Sequence, residues 1–268
     1  MNGREMNVFD VDIFRQELAE TGQHKELLST YYGKYPEIGN ISTAEKWDSL
    51  SEMDKVPEIR IKRLGKVVSL IDVDKKILDI GAGWGDIVPI LHRYKQDVDY
   101  TGIDFSSELV KRLRDKYPAQ KFINTMVETL SEEYDYVLVL EVLEHIVPSK
   151  VFDFLKGIKM VLKDDGVLIV TVPLNENLKN NTFVCGKCSS FVNRMGHVRN
   201  YSLGLIKSEL QMAGFLVKYT ELIYEGYYGV KGLLKRYMRN VAGYLIGPSG
   251  FKPVMPACVV LKCLKTCA

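Results

Sequence analysis

The sequence predicts an α/β protein in which helices cover both faces of a doubly wound, mostly parallel, seven-stranded sheet. From Lys75 onward, short apolar segments alternate with amphipathic helical segments, as is typical of βαβ units. Residues 134–140, YDYVLVL, are dominated by apolar side chains, as expected of a strand covered on both faces. Gly214 followed by Phe215 indicates a helix end directly before a strand. These observations together predict one α/β domain over residues 71–268.

The individual elements follow from local patterns of apolar residues, glycines and turn residues. Strands are expected at residues 75–80, 98–103, 121–124, 134–140, 166–173, 215–223 and 257–264. Helices are expected at about residues 86–94, 106–117, 149–162 and 202–214. Two further amphipathic helices, 8–20 and 57–71, predict a helical N-terminal cap or lid over residues 1–70. A loop insert at 174–201 and a helical insert at 226–256 are expected within the domain.

Composition and charge are those of an ordinary globular protein with one basic region. Of the 268 residues, 46% are hydrophobic and 26% are charged. No apolar run reaches the roughly 18 residues that a membrane span requires, and no signal peptide is recognisable, so a cytoplasmic protein is expected. From Gly226 onward there are seven cations and no acids, whereas the rest of the chain carries 29 cations and 34 anions. This asymmetry predicts either an anionic partner or surface, or a solvated basic face.

A basic amphipathic helix is expected within the second insert, at residues 230–246. Its apolar side chains share one helical face, and Lys231, Lys235, Arg236 and Arg239 lie off that face. Such a helix can make peripheral contact with a membrane or bind a lipid-linked substrate. More often it packs on its own domain or on a second subunit, and the sequence leaves both interpretations open.

The segment ILDIGAGWG, residues 77–85, is the strongest indication of a ligand site. A strand ends and glycines follow at once, which permits a tight turn and a close approach of the backbone to a ligand. The dinucleotide fingerprint G-x-G-x-x-G differs, because Gly85 comes one position early. Asp79 puts an anion beside the loop, which suits a ligand with an ammonium group better than a pyrophosphate.

A second acid, Asp104, ends the next strand 23 residues after Gly81, where a carboxylate can accept hydrogen bonds from both hydroxyls of a ribose. The D-x-G-x-G-x-G pattern, this acid and the later segments INTMVE and YDYVLVLEVLEHI resemble the class I S-adenosylmethionine (SAM)-dependent methyltransferases. The resemblance covers about residues 72–223 and the last strand. It implies the Rossmann-like methyltransferase fold and SAM as the cofactor. Asn124 stands where that family usually has an acid near adenine.

The resemblance also implies roles for individual residues. The glycine loop should line the methionine and ribose end of SAM, Asp104 should hold the ribose, and Phe105 should flank the adenine. Trp84 should either shelter the site or pack against it. The full set expected at the cofactor is Asp79, Gly81, Ala82, Gly83, Trp84, Gly85, Asp104, Phe105, Asn124, Met126, Val127 and Glu141.

The run EVLEH, residues 141–145, offers two carboxylates and an imidazole at the end of a strand, a set that suits Mg²⁺, Mn²⁺ or Zn²⁺. A similar E-x-x-E-H run binds metal in two related groups, the ubiquinone-pathway O-methyltransferases and the small-RNA 3′-terminal 2′-O-methyltransferases. His197 resembles the distal histidine of the RNA enzymes, so the expected metal ligands are Glu141, Glu144, His145 and His197. Such a metal would lower the pKa of a substrate hydroxyl. Many methyltransferases carry this run without a metal, and His145 or His197 would then be the catalytic base.

Cys185 and Cys188 form a Cys-x-x-Cys pair in the loop insert, which is the usual half of a zinc site. Similar loops occur in bacterial sugar or polysaccharide methyltransferase-like sequences. A four-ligand site would need His197 and another residue, so two interpretations stay open. The pair either binds zinc or consists of reduced, packed or reactive thiols.

Together these features predict a SAM-dependent methyltransferase that acts on an O or N atom of a small-molecule, sugar or lipid-linked acceptor. One alternative is a metal-dependent RNA 2′-O-methyltransferase. Nucleic acid is not the expected partner, because the body of the chain is acidic and no RNA-binding module is recognisable. Another alternative is a non-catalytic, SAM-binding scaffold protein. Methyltransferases vary in their substrate half, so the sequence identifies neither the acceptor nor the oligomeric state.

Overall fold

The computed structural model describes residues 58–95, 98–178, 182–184, 191–193, 195–224 and 256–266. Three predictions from the sequence lie outside these residues: the helix at 8–20, the Cys185 and Cys188 pair, and the basic helix at 230–246. They stay predictions. In the part of the chain that is described, no helix is both long enough and apolar enough to cross a membrane.

A seven-stranded sheet forms the centre of the molecule, and a separate two-stranded hairpin lies in the loop insert. The strands are β1 (Lys76–Ile80), β2 (Asp99–Asp104), β3 (Lys121–Asn124), β4 (Tyr134–Leu140), β5 (Leu162–Pro173), β6 (Thr182–Val184), β7 (Phe191–Asn193), β8 (Phe215–Ile223) and β9 (Cys258–Lys265). The sheet has the order β3-β2-β1-β4-β5-β9-β8. β1 to β5 pair in parallel, and β9 runs antiparallel to β5 and β8. The predicted mostly parallel, seven-stranded sheet is confirmed.

Helices cover both faces of this sheet. They are α1 (Glu58–Ser69), α2 (Val88–Tyr94), α3 (Ser107–Lys116), α4 (Val151–Val161) and α5 (Leu203–Met212). Val67, Leu91 and Leu113 bring α1, α2 and α3 into one apolar cluster. Leu155 and Leu210 bring α4 and α5 into a second cluster on the opposite face. The fold is therefore doubly wound, as the sequence predicts.

Strand β4 shows why its segment of sequence is so apolar. Tyr136 and Leu138 belong to the cluster on one face, whereas Val137 and Val139 belong to the cluster on the other. Successive side chains of a strand point to opposite faces, so a central strand covered on both sides needs apolar residues at every position. Because β4 is buried on both faces, its carboxyl end lies at the centre of the sheet's edge. The acidic run that follows β4 begins there.

The last helix of the predicted N-terminal cap packs into the core of the domain. Leu64, Val67 and Val68 of α1 are buried in the same cluster as Ile77 of β1. The helix is amphipathic, and its buried stripe faces the sheet. Residues 58–69 therefore pack as part of the sheet domain. The cap formed by the earlier residues stays a prediction.

Several details of the fold differ from the expectation; β5, for example, begins at Leu162 and not at residue 166. Helix α2 begins at Val88, not at residue 86, because Pro89 is accommodated in a first helical turn. Asp86 instead lies in the preceding turn and forms an ion pair with Arg60 of α1, with 2.6 Å between Oδ2 and Nη1. The hairpin of β6 and β7 was not predicted, because three-residue strands are too short to show a period.

Candidate active site

The glycine loop follows β1 directly and turns sharply at three glycines. Gly81, Gly83 and Gly85 have φ values of 74°, 54° and 71°, in the left-handed region that favours glycine. A Cβ on Gly81 would lie 2.7 Å from Val142 Cγ2, so this glycine lets the loop touch the segment after β4. Among the described residues, a Cβ on Gly83 would meet only the carbonyl oxygen of Gly81, at 3.7 Å. The surface of the loop at Gly83 therefore borders open space.

Asp79 is a buried acid within β1, one residue before the strand ends. Its side chain is almost fully buried, and Oδ2 accepts a 2.8 Å hydrogen bond from the Tyr100 hydroxyl. Among the described residues, no group donates a hydrogen bond to Oδ1. Burial raises the pKa of Asp79 to about 7, although the Tyr100 bond opposes the shift, and Asp104 raises the pKa further. The site thus contains a carboxyl group that can gain or lose a proton near neutral pH.

Asp104 joins the glycine loop to the start of α3. Its Oδ2 accepts a 3.1 Å hydrogen bond from the backbone N–H of Gly83, and Oδ1 accepts a 2.9 Å bond from that of Ser106. Burial raises the pKa of Asp104, and these backbone bonds oppose the shift. The amide of Asn124 donates to the Asp104 carbonyl at 3.0 Å, which connects the ends of β2 and β3. The acid at β2 is therefore held against the glycine loop, as expected of one site.

Two apolar side chains stand exposed at the same edge of the sheet. Phe105 follows β2 and is 56% exposed, and Met126 lies just after β3 and is 61% exposed. By contrast, the side chain of Val127 is buried in the core, against the face that carries α4. Trp84 has the guanidinium of Arg112 over its ring, 5.7 Å from the centroid. Phe105 and Met126 thus offer apolar surface next to the loop, whereas Val127 can reach that space only through its backbone.

Glu141 directly follows β4 and has an unusual backbone conformation and a fully engaged carboxylate. Its φ of 57° is rare for a residue with a side chain, so the chain turns here at some cost. Oε1 accepts a 2.9 Å hydrogen bond from the Thr171 hydroxyl, and Oε2 pairs with Nη1 of Arg63 at 2.8 Å. Arg63 comes from α1, so this helix contributes a cation to the edge of the sheet. Sequence reasoning had missed both Arg63 and Thr171.

Glu144, His145 and His197 come together beside Glu141. One potential ligand atom from each of the three residues lies within 4.8 Å of the others, and they form the only such cluster among the described residues. Glu144 is 1% exposed, and neither carboxylate oxygen has a hydrogen-bond partner there. Burial, followed by the nearby Glu141, raises the pKa of Glu144 well above its ordinary range. Three of the four residues predicted as metal ligands are thus adjacent, whereas Glu141 is held by Arg63 and Thr171.

The two imidazoles are each held by a specific acceptor. His145 Nδ1 lies 3.0 Å from the carbonyl oxygen of Gly196. His197 Nδ1 binds Oε2 of Glu176, and its Nε2 lies 3.9 Å from Oε1 of Glu144. The rings meet edge to face, with centroids 4.9 Å apart. Glu176 was also missed from the sequence, although it follows the carboxyl end of β5 as Glu141 follows that of β4.

The loop that carries His197 is fastened to the segment after β4. The backbone N–H groups of Val198 and Arg199 both donate to the carbonyl of Glu144, at 2.8 and 3.2 Å. Arg199 in turn pairs with the buried Glu209 of α5, which also accepts a 3.2 Å bond from the hydroxyl of Tyr201. Two segments more than 50 residues apart therefore form one rigid polar site.

Comparison with known proteins identifies the class. A family model described as a methyltransferase domain matches residues 51–219, so the chain belongs to this family. Together with the fold and the glycine loop, this makes it a class I SAM-dependent methyltransferase. A curated relative, the carboxy-S-adenosyl-L-methionine synthase of Nautilia profundicola, is 28% identical over 134 residues. That match covers 48% of this chain and spans only 57% of the relative's length.

Solved structures agree on the fold. A SAM-dependent methyltransferase from Archaeoglobus fulgidus has a TM-score of 0.57 at 14% identity, covering 82% of this chain and 99% of that one. The 1,6-didemethyltoxoflavin-N1-methyltransferase of Burkholderia thailandensis, solved with 1,6-didemethyltoxoflavin and S-adenosylhomocysteine, has a TM-score of 0.55 at 15% identity, covering 84% and 86%. The [4+2]-cyclase SpnF has a TM-score of 0.53 at 18% identity, covering 77% and 81%. At these identities the likeness establishes the fold alone.

Asp79 gives the site a measurable dependence of stability on pH. Its pKa is higher in the folded chain than the ordinary 3.8, so proton binding stabilises the fold fully below about pH 4 and no longer does so above about pH 7. Asp79→Asn removes this titration and keeps an acceptor for Tyr100. We expect the stabilities of the variant and the wild type to differ least below about pH 4. At pH 8 the variant should be more stable by about 1–3 kcal/mol, measured by urea unfolding without ligand. A difference that does not change with pH would contradict this account of Asp79.

Proposed function

We propose that this enzyme transfers the methyl group of SAM to an O or N atom of a small-molecule, sugar or lipid-linked acceptor. The main support is a cluster of carboxylates and imidazoles around the buried Glu144, next to the segment that the glycine loop touches. The contact is close, because a Cβ on Gly81 would overlap Val142, which lies between Glu141 and Glu144 in the chain. A methyl donor bound at the loop would therefore have proton-accepting groups within reach of its acceptor.

The cofactor would bind across the carboxyl edge of β1, β2 and β3. Residues 81–85, Gly81, Ala82, Gly83, Trp84 and Gly85, would line its methionine and ribose part. Asp79 Oδ1, which has no hydrogen-bond partner in the described part of the chain, suits the ammonium group of SAM, directly or through water. Asp104 would bind the ribose, and the exposed Phe105 and Met126 would enclose the adenine. Asn124, the backbone of Val127 and Glu141 would complete the surroundings of the cofactor.

Methyl transfer needs an acceptor lone pair in line with the bond between sulfur and the methyl carbon. As the new O–C or N–C bond forms, the S–C bond breaks and its electrons pass to sulfur, which leaves neutral S-adenosylhomocysteine. The acceptor must also lose a proton, and His197 or His145 would take it. His197 suits this role, since its Nδ1 is held by Glu176 and its Nε2 is directed towards Glu144.

The charges at the cluster favour a neutral or cationic acceptor. Arg63 is already paired with Glu141, and Glu176 lies against His197. A polyanionic acceptor such as RNA is bound mainly through Lys and Arg side chains on its phosphates, and Arg63 is already engaged. This pattern supports the small-molecule, sugar or lipid-linked class over nucleic acid. A cytoplasmic location remains our expectation.

A divalent metal in the same cluster is the second candidate. Glu144, His145 and His197 would supply one oxygen and two nitrogen ligands, a donor set that fits Mn²⁺ or Zn²⁺ better than Mg²⁺. The buried Glu144 carboxylate, with no hydrogen-bond donor among the described residues, is the observation that favours it. A bound metal would supply Lewis acidity towards an acceptor hydroxyl.

Transfer of radiolabelled methyl from SAM tests the proposed activity. Wild-type protein should label the small-molecule, lipid or glycan fraction of an extract of the organism that encodes it. Gly83→Ala should lower the transfer and the affinity for S-adenosylhomocysteine by 10-fold or more, since the new Cβ points into the space at the loop. Gly65→Ala is the control for a glycine substitution away from the loop, because a Cβ there meets no atom of the described part of the chain within 4 Å. Label confined to nuclease-sensitive material would favour the RNA alternative, and cofactor binding without transfer to any fraction would favour the scaffold alternative.

Metal content tests the second candidate independently of activity. If a metal is resident, elemental analysis should find about one equivalent per chain. Glu144→Gln should abolish it, because the change removes the charged ligand while keeping its size. The affinity for S-adenosylhomocysteine should stay within about threefold. Wild-type protein that neither contains nor binds Mn²⁺ or Zn²⁺ would contradict the proposed metal site. A histidine that acts as the base without a metal would then be the remaining mechanism.

A further inference from the structure

Glu176 belongs to no recognised sequence pattern, yet it makes the most direct contact with His197. It lies three residues beyond β5, and its Oε2 lies within hydrogen-bonding distance of His197 Nδ1. Both side chains are largely buried, at 19% and 10% exposure, so the pair is partly shielded from solvent. We propose that Glu176 is a positioning residue that fixes the tautomer and orientation of His197. This inference rests on the function proposed above.

The chemistry of the contact determines which ring nitrogen carries the proton. An ionised carboxylate can only accept hydrogen bonds, so an ionised Glu176 selects the His197 tautomer that is protonated at Nδ1. In a neutral ring, Nε2 then holds the lone pair. This nitrogen lies 3.9 Å from Glu144 Oε1, which directs it into the cluster beside the glycine loop. Glu176 thereby points the basic nitrogen of His197 at the acceptor side of the site.

His145 is held in the same manner, which supports assigning a common purpose to both contacts. Its Nδ1 lies 3.0 Å from the Gly196 carbonyl oxygen, which also can only accept. Both rings therefore carry their proton on Nδ1, and Nε2 of each is the nitrogen with the lone pair. Whether His197 serves as a base or as a metal ligand, it needs that same tautomer.

The backbone holds Glu176 and His197 at a fixed separation. Asn175, with a φ of 54°, donates its N–H to the carbonyl of Tyr201 at 2.8 Å. On the other side of His197, the backbone N–H of Val198 donates to the carbonyl of Glu144 at 2.8 Å. The segment after β5 and the segment that carries His197 are thus tied together next to the contact. A side chain at position 176 that cannot accept a hydrogen bond would leave the His197 ring in place. The ring could then adopt either neutral tautomer.

Glu176→Leu tests the inference, because leucine has a similar volume and no acceptor. NMR of the imidazole ring nitrogens reports the tautomer of each histidine directly. The chain contains only four histidines, so the signals that are lost in His197→Asn are those of His197. The wild type should show His197 protonated at Nδ1, and Glu176→Leu should show a mixture of the two tautomers. Where transfer is measurable, kcat should fall about 10- to 100-fold with KM changed less than threefold. Glu176→Gln keeps the shape and an oxygen that can accept from Nδ1, so it should retain the Nδ1 tautomer and lower kcat less than Glu176→Leu does. If the leucine variant fails to fold, the tautomer of His197 in the wild type and in Glu176→Gln decides the inference.

A control and a separate binding measurement distinguish this inference from the proposed function. Glu132→Leu removes a carboxylate at the start of β4, on the opposite edge of the sheet, and should leave the tautomer of His197 unchanged. Affinity for S-adenosylhomocysteine should be equal in all these proteins. A wild type that does not bind it would overturn the proposed function whatever the tautomer. A wild-type His197 protonated at Nε2, or an unaltered tautomer in Glu176→Leu, would overturn the role of Glu176 alone.

Discussion

The reversal of strand order between β1 and β4 is the constraint on which the rest of this structure depends. The chain leaves β1 towards α2 on one face of the sheet and leaves β4 towards α4 on the other, so a crevice must open between the two connections. Both loops begin at the same carboxyl edge, and the missing side chain of Gly81 lets them meet at Val142. This topology puts the glycine loop, which suits a nucleotide-like cofactor, next to the acidic run that begins at Glu141. The cofactor half and the acceptor half of the proposed site follow from one feature of the sheet.

Charges gathered at that edge have a cost in stability. Asp79 and Glu144 are buried carboxyl groups with oxygens that lack donors among the described residues, and their raised pKa values reflect this cost. Arg63 partly offsets it by pairing with Glu141, and α1 brings this cation to the site. Unsatisfied buried groups are rare in folded proteins and are expected where a ligand completes them. The polar cluster is therefore better explained by binding and catalysis than by folding.

Strands with strong local patterns could be predicted from the sequence, whereas contacts between distant segments could not. The bounds of β4 and β8 agree with the prediction, because their apolar character is local. The glycine loop and Asp104 were also recognisable from their place at strand ends.

Arg63 and Glu141 are 78 positions apart in the chain, and Glu176 and His197 are 21 positions apart. No local pattern in the sequence indicates that these residues form pairs. The acceptor is undefined for a related reason, since the similar structures include a [4+2]-cyclase as well as methyltransferases, and one fold can hold several chemistries.

We propose that one crevice holds the cofactor and turns its reactive end towards the Glu144–His145–His197 cluster. A crystal structure with S-adenosylhomocysteine would show whether this is so. We expect the ribose hydroxyls on Asp104, the ammonium group near Asp79, and the sulfur between the loop at Gly83 and the cluster. A cofactor bound elsewhere, or one whose sulfur faces away from His197, would contradict it.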